Sequence, residues 1–221
     1  MPAILFGSIS TIADTSELQR RSFNEAFDAH DLDWSWDRDD YVSRLGSNGG
    51  ADRIASYAQE QGVEVDAAAV HATKSEIFQR LLSESSISAR PGVAETIAAA
   101  KADGTKVGFV TTTSRENIDA LLSALSPTVS ADSFDVVVDA SSVDEGKPAP
   151  AAYLHALQVL GEDAADCVAI EDNAGGAQAA AAASVTCVAF PNENTRDADF
   201  EGTAETVTAL NPSHLRALIA A

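Results

Sequence analysis

Four short segments of this 221-residue chain carry residues able to do chemistry, and they are spread along its length. In Val107-Gly108-Phe109-Val110-Thr111 an apolar run ends on a hydroxyl, with Thr112 and Thr113 next. Thr111, helped by the backbone N–H groups of the two residues after it, can hydrogen-bond the oxygens of a phosphate. Glu145-Gly146-Lys147-Pro148-Ala149-Pro150 presents one cation in a stretch whose prolines fix the backbone. Val168-Ala169-Ile170-Glu171-Asp172-Asn173-Ala174-Gly175-Gly176 ends an apolar run on adjacent acids, then opens a helix on small residues. In the fourth, Ala3-Ile4-Leu5-Phe6-Gly7-Ser8-Ile9-Ser10-Thr11, the turn after the apolar run holds hydroxyls but no acid or base. Singly these are commonplace, since threonines end many strands and lone lysines are usually solvated. Their shared placement, each after an apolar run or before a helix, argues against chance.

Such residues need a scaffold that brings the ends of separate strands together. Short β-branched runs alternate with longer Ala/Leu-rich segments, which predicts βα units and a parallel sheet. Strands are expected at Ala3–Phe6, Lys106–Thr111, Phe134–Val138, Cys167–Ile170 and Thr186–Phe190. Helices are expected near Gly92–Ala102, Arg115–Ala124, Pro150–Leu160 and Ala174–Ala183, with a last one opening at Asn211-Pro212-Ser213. Between about Asp14 and Ala89 the alternation stops. Helical patterns at Ser16–Ala29, Asp52–Gln61 and Ala67–Leu82 follow one another there, so residues 14–89 read as a helical insertion after the first strand. Arg90-Pro91-Gly92 marks the return, with Pro91 suited to a helix start. The core then comprises residues 1–13 and 90–221.

Composition excludes several classes of partner. Asp and Glu number 34 against 14 Lys and Arg, for a formal net charge of −20. Such a surface repels nucleic acid and anionic membranes and suits a protein that must stay soluble, for instance in salt. No apolar run reaches membrane-spanning length, and no basic-then-apolar leader opens the sequence. Cys167 and Cys187 stand apart without metal-ligand spacing, so a reduced, cytoplasmic location is expected.

The four segments resemble, in order and spacing, the motifs of the haloacid dehalogenase (HAD) phosphohydrolases. Phe6–Thr11 is similar to that family's Asp-x-Asp-Gly-Thr turn, Glu145–Pro150 to Gly-Lys-Pro-x-Pro, and Glu171–Gly176 to Glu-Asp-Ser-x-x-Gly. Asp14–Glu25, Asp33–Arg38, Asn48–Arg53 and Thr111–Asn117 resemble the CbbY-type branch, sugar-bisphosphate phosphatases similar to β-phosphoglucomutase. The resemblance implies an α/β, Rossmann-like core with a parallel sheet and an α-helical cap inserted after the first strand. It implies phosphate binding by Thr111, Thr112 and Lys147, with the lysine neutralising phosphate and the attacking carboxylate. It places Mg²⁺ on Glu171 and Asp172, and substrate contacts in the cap at Gln19, Gly50 and Arg53.

The chain departs from that pattern where the chemistry is done. Gly7 stands where the family has its nucleophilic aspartate and Ile9 where it has its acid/base aspartate. A glycine cannot attack phosphorus, and isoleucine moves no proton. Gln19 replaces a common histidine, Gly50-Ala51 falls where Gly-Gly-Lys is usual, and Ser184 occupies a turn that usually has glycine. The expected protein is a HAD-like homologue with no intact catalytic residue. It retains phosphate or phosphosugar binding, with Mg²⁺ weakened and not required, and a protein partner is compatible with that role. The alternative is an atypical phosphatase acting by a non-aspartyl route. Ser8 and Ser10 lie close enough to the turn to be considered, but no histidine (His30, His71, His155, His214) is placed by sequence to activate them.

Overall fold

The computed structural model describes residues 2–45 and 49–219, so Asn48 of the Asn48–Arg53 segment lies outside them. Six strands form one sheet: β1 (Ala3–Phe6), β2 (Lys106–Val110), β3 (Val136–Val138), β4 (Cys167–Glu171), β5 (Thr186–Ala189) and β6 (Glu205–Thr206). Their order is β3-β2-β1-β4-β5-β6, and every pairing is parallel. β1 and β4 are buried along their whole length, which explains their unbroken apolar character, since a covered parallel sheet has no solvent face. This is the α/β Rossmann-like fold expected.

Ten α-helices accompany the sheet among the described residues. In the core, α6 (Val93–Asp103), α7 (Arg115–Leu125), α8 (Ala151–Leu160), α9 (Ala174–Ala182) and α10 (Pro212–Ile219) cover the two faces. Between β1 and β2 lie α1 (Ile9–Ile12), α2 (Ser16–Ala29), α3 (Arg38–Ser43), α4 (Gly50–Gln61) and α5 (Ala67–Glu84). Helices α2 to α5 have an apolar centre of their own, in which Phe23, Phe27, Trp34, Trp36 and Tyr41 pack as a ring cluster. Arg90 fastens the return to the core: it donates to the carbonyls of Ser10, Phe190 and Pro191, and its guanidinium lies 3.4 Å from the Phe190 ring centre.

Some details differ from the sequence expectation. β2 stops at Val110, leaving Thr111 just beyond it, where its N–H still reaches Val138 O at 3.0 Å. Phe134 precedes β3 rather than opening it, and Phe190 follows β5. β6, α1 and α3 were not anticipated, because two to six residues carry too little periodicity to read.

Ser184 adopts φ 60°, the left-handed region that favours glycine. Ser184→Gly should therefore stabilise the chain by about 0.5–1 kcal/mol, raising the melting temperature by roughly 1–4 °C. Thermal denaturation of the two proteins checks this, and an unchanged or lower melting temperature would show that the serine side chain offsets the strain.

Candidate active site

The ends of β1, β2 and β4 are neighbours in the sheet, so Gly7, Thr111 and Glu171-Asp172 meet at one edge. This is the strand-end position where open α/β sheets hold ligands. A cavity of about 480 Å³ opens there, with the core strand ends on one side and α2, α4 and α5 on the other. Gly7, Ile9, Thr111, Thr112, Lys147 and Asp172 line its floor, while Gln19, Gly50 and Arg53 line its roof. Topology thus brings these candidates to one cavity. Glu171 is the exception, fully buried behind it.

The position of Glu171 follows from Gly7. A Cβ on residue 7 would lie 2.1 Å from Glu171 Oε1 and 2.6 Å from the Tyr153 hydroxyl. A Cβ on Gly176 would lie 2.1 Å from Glu171 Oε2. The carboxylate is therefore wedged between two glycines, in space that a side chain at position 7 would require. There Oε1 accepts from Lys147 Nζ at 2.6 Å and from the Tyr153 hydroxyl at 2.6 Å. Oε2 is buried with no hydrogen-bond partner. Burial pushes the Glu171 carboxyl above its usual range, and the adjacent Lys147 ammonium only partly opposes that.

Lys147 has no donor left for an anion. Its three protons go to Glu171 Oε1, to Val110 O at 2.7 Å and to Gly7 O. Thr111 Oγ1 accepts from Thr113 N at 3.3 Å, and the Thr113 hydroxyl accepts from Asn117 Nδ2 at 3.0 Å. Thr112, Thr113 and Ser114 remain along the wall at the start of α7, where Ser114 caps the helix.

Asp172 keeps its place on the floor through neutral donors. Its Oδ1 accepts from Ser8 Oγ at 2.7 Å and Asn173 Nδ2 at 2.9 Å, and its Oδ2 from Asn192 Nδ2 at 2.6 Å. The residues present do not fit Mg²⁺. That ion needs near-octahedral oxygen donors, yet Glu171 is turned into the glycine slot, and residues 7 and 9 offer no side-chain oxygen. Among the described residues no group of three or more His, Cys, Asp or Glu could hold a metal. The two acids expected to share the ion diverge, and only Asp172 faces the cavity.

Beside Gln19, Gly50 and Arg53, the roof carries a lysine that sequence reasoning missed. Lys74 is 5% exposed, yet it lines the cavity and donates to Gln19 Oε1. Burial first, and then the Arg53 charge, lower its pKa to about 7. Arg53 donates to Arg44 O at 2.9 Å and lies 5.6 Å and 5.8 Å from the Phe23 and Tyr41 ring centres. His71 packs where a Cβ on Gly50 would be, 2.3 Å from Nε2, and burial lowers its pKa to about 4, so it is neutral. The signal for Lys74 was legible: it falls on the helical stripe Val70, Lys74, Phe78, Leu81, whose other members are all core. Tyr153 and Asn192 carried no comparable mark.

A clasp joins roof to floor. Arg38 of α3 donates to Glu193 O at 2.6 Å and Asn194 Oδ1 at 3.0 Å, and Asn194 Nδ2 donates to Glu17 at 2.9 Å. The same loop supplies Asn192 to Asp172, and Glu193 N donates to Asp14 at 2.9 Å.

A six-stranded parallel sheet, a helical insertion after its first strand, and a lysine, threonines and paired acids at the strand ends define a phosphohydrolase scaffold of the HAD type. Residues 1–184 match the haloacid dehalogenase-like hydrolase family, and the chain belongs to it. It is 38% identical over 203 residues to Protein CbbY of Rhodobacter capsulatus, covering 90% of this chain and 89% of that one. The crystal structure of CbbY from Rhodobacter sphaeroides in complex with phosphate superposes with a TM-score of 0.88 at 38% identity, covering 95% of each chain. β-Phosphoglucomutase from Clostridium difficile, at 19% identity and TM-score 0.79, shares the fold. No helix among the described residues is long and apolar enough to cross a membrane.

Proposed function

We propose that this chain is a catalytically retired HAD homologue that binds phosphate or a small phosphosugar without Mg²⁺. One observation carries this: the Glu171 carboxylate fills the space a nucleophile at position 7 would need and pairs with Lys147. Residue 7 then cannot attack, and the site's acid and base neutralise each other without a metal. Beside the Glu171–Lys147 pair, the cavity lining carries the Thr111–Ser114 hydroxyls and backbone N–H groups at the start of α7 and Arg53 on the roof, with Asp52 and Asp172 as its acids. Donors at a helix start are what draws a phosphate to such a lining in a protein of net charge −20. The related crystal structures of CbbY from Rhodobacter sphaeroides in complex with phosphate and of a mutant of that protein in complex with xylulose-(1,5)bisphosphate support a phosphorylated ligand of this size. Residues 14–89 then serve as the cap, held down by the Arg38 clasp.

The test is phosphate release from sugar phosphates and p-nitrophenyl phosphate, with and without Mg²⁺, beside Lys147→Ala. No release above that variant is expected, together with calorimetric binding of inorganic phosphate that is the same with and without Mg²⁺. Turnover lost in the variant, or binding that requires Mg²⁺, would overturn the reading.

A second reading rests on the Ser8 hydroxyl, which donates to Asp172 at 2.7 Å beside the vacant nucleophile position. A serine paired with a carboxylate at that position resembles an activated nucleophile. Ser8→Ala in the same assay separates the two: turnover abolished by that change alone would establish the non-aspartyl route.

A further inference from the structure

Lys74 differs from the other three lysines. Lys106 pairs with Glu162 at 2.6 Å, Lys147 pairs with Glu171 at 2.6 Å, and Lys101 is exposed on α6. Lys74 is buried, and among the described residues its Nζ meets a neutral amide oxygen, that of Gln19, rather than a carboxylate. Its walls are the Phe23 and Phe78 rings, each with its centre 5.0 Å away. The Arg53 guanidinium lies on the same Phe23 ring. A desolvated amine beside a second cation is the setting that favours the neutral, nucleophilic form. It also lines the cavity that the Thr111–Ser114 segment lines.

We propose that Lys74 is a carbonyl-capturing amine, condensing reversibly with the aldehyde or ketone of a small phosphorylated compound seated in this cavity. The inference rests on the reading above that the cavity takes a phosphorylated ligand, with the phosphate at the Thr111–Ser114 wall and the carbonyl at the roof. In the step, the Nζ lone pair forms a bond to the carbonyl carbon while the C=O π pair moves to oxygen, which takes a proton from nitrogen. The carbinolamine then loses its oxygen as water, with the second amine proton, leaving a C=N bond to Lys74. No oxidant, metal or cofactor is consumed. A volume of about 480 Å³ is adequate for a triose or pentose phosphate spanning both walls.

The test is trapping. The full chain is incubated near neutral pH with glyceraldehyde 3-phosphate, reduced with borohydride, digested and mapped by mass; there are only four lysines to distinguish. With the Lys74 pKa near 7, Lys74 should carry at least about tenfold more adduct than Lys101, Lys106 or Lys147, because far more of it is free amine. Glyceraldehyde lacking the phosphate should label it much less, and glycerol 3-phosphate should compete. Lys74→Met removes the condensable amine and fits between the same rings, so it should lose the adduct while circular dichroism reports an intact fold. Labelling that follows exposure, with Lys101 first and Lys74 bare, would overturn the proposal, as would equal labelling by glyceraldehyde. If inorganic phosphate still binds calorimetrically in that case, only the capture step fails. If it does not bind, the phosphate-binding reading fails as well.

Discussion

Gly7→Ala should destabilise this protein by about 2–4 kcal/mol, although it adds a single methyl group to a residue with ordinary backbone geometry. The new Cβ would lie 2.1 Å from Glu171 Oε1 and 2.6 Å from the Tyr153 hydroxyl. Both are buried, and Gly176 closes the far side of the slot. Glu171 must then leave the slot toward the cavity, breaking its pair with Lys147 in the low-dielectric interior. For a chain of this size that is a fall in melting temperature of roughly 5–15 °C. Gly7→Asp meets the same steric conflict but brings a carboxylate that can take over Lys147. The displaced Glu171 would then join residue 7 and Asp172 at the cavity floor. Gly7→Asp should consequently acquire a Mg²⁺-dependent rise in melting temperature that neither the wild type nor Gly7→Ala shows. Adding Ile9→Asp carries a further cost, because Ile9 is 5% exposed in the main apolar cluster. Restoring phosphatase chemistry therefore requires stability to spare as well as two aspartates. A Gly7→Ala protein as stable as the wild type would show that Glu171 does not occupy the slot.

The parallel sheet and most helices were legible because long buried elements write their period into the sequence. β1 and β4 are unbroken apolar runs, and α2, α5 and α7 show helical stripes. The site residues were legible as types at strand ends, and the sheet order brings those ends together. What the sequence hid was direction. Glu171 and Asp172 are adjacent, and nothing local says that one turns back between two glycines while the other faces the cavity. That outcome depends on an absence 164 residues away along the chain: the missing side chain at Gly7 creates the slot, and Lys147 and Tyr153 complete it. Lys147 likewise reads as a ligand-facing cation until its three acceptors are seen. Asn192 and Arg38 lie in segments without period or motif, and only tertiary contact gives them meaning.

Lys74→Met should stabilise the protein near pH 7, and that advantage should shrink by about 2–3 kcal/mol between pH 7 and pH 9. The sign follows from burial. The Lys74 pKa is about 7 in the folded protein against a reference of 10.5, with desolvation as the larger cause and Arg53 the lesser. Between those values the unfolded chain binds a proton that the folded chain does not. Wild-type stability therefore gains a rising component across that window, and carries the full penalty at and below pH 7. Methionine has no such proton and fits between Phe23 and Phe78, so its curve lacks that component. The neighbours do not confuse the comparison. Arg53 on α4 stays charged, Gln19 on α2 is neutral, and His71 on α5, with a pKa of about 4, does not titrate in the window. Urea denaturation of both proteins at several pH values measures the difference directly. A gap that stays constant would mean the Lys74 ammonium is held charged in the fold, and the free amine needed for carbonyl capture would then be scarce at neutral pH. A gap that closes would mean that the roof of the cavity is built at a cost in stability to keep an uncharged amine facing whatever the cavity binds.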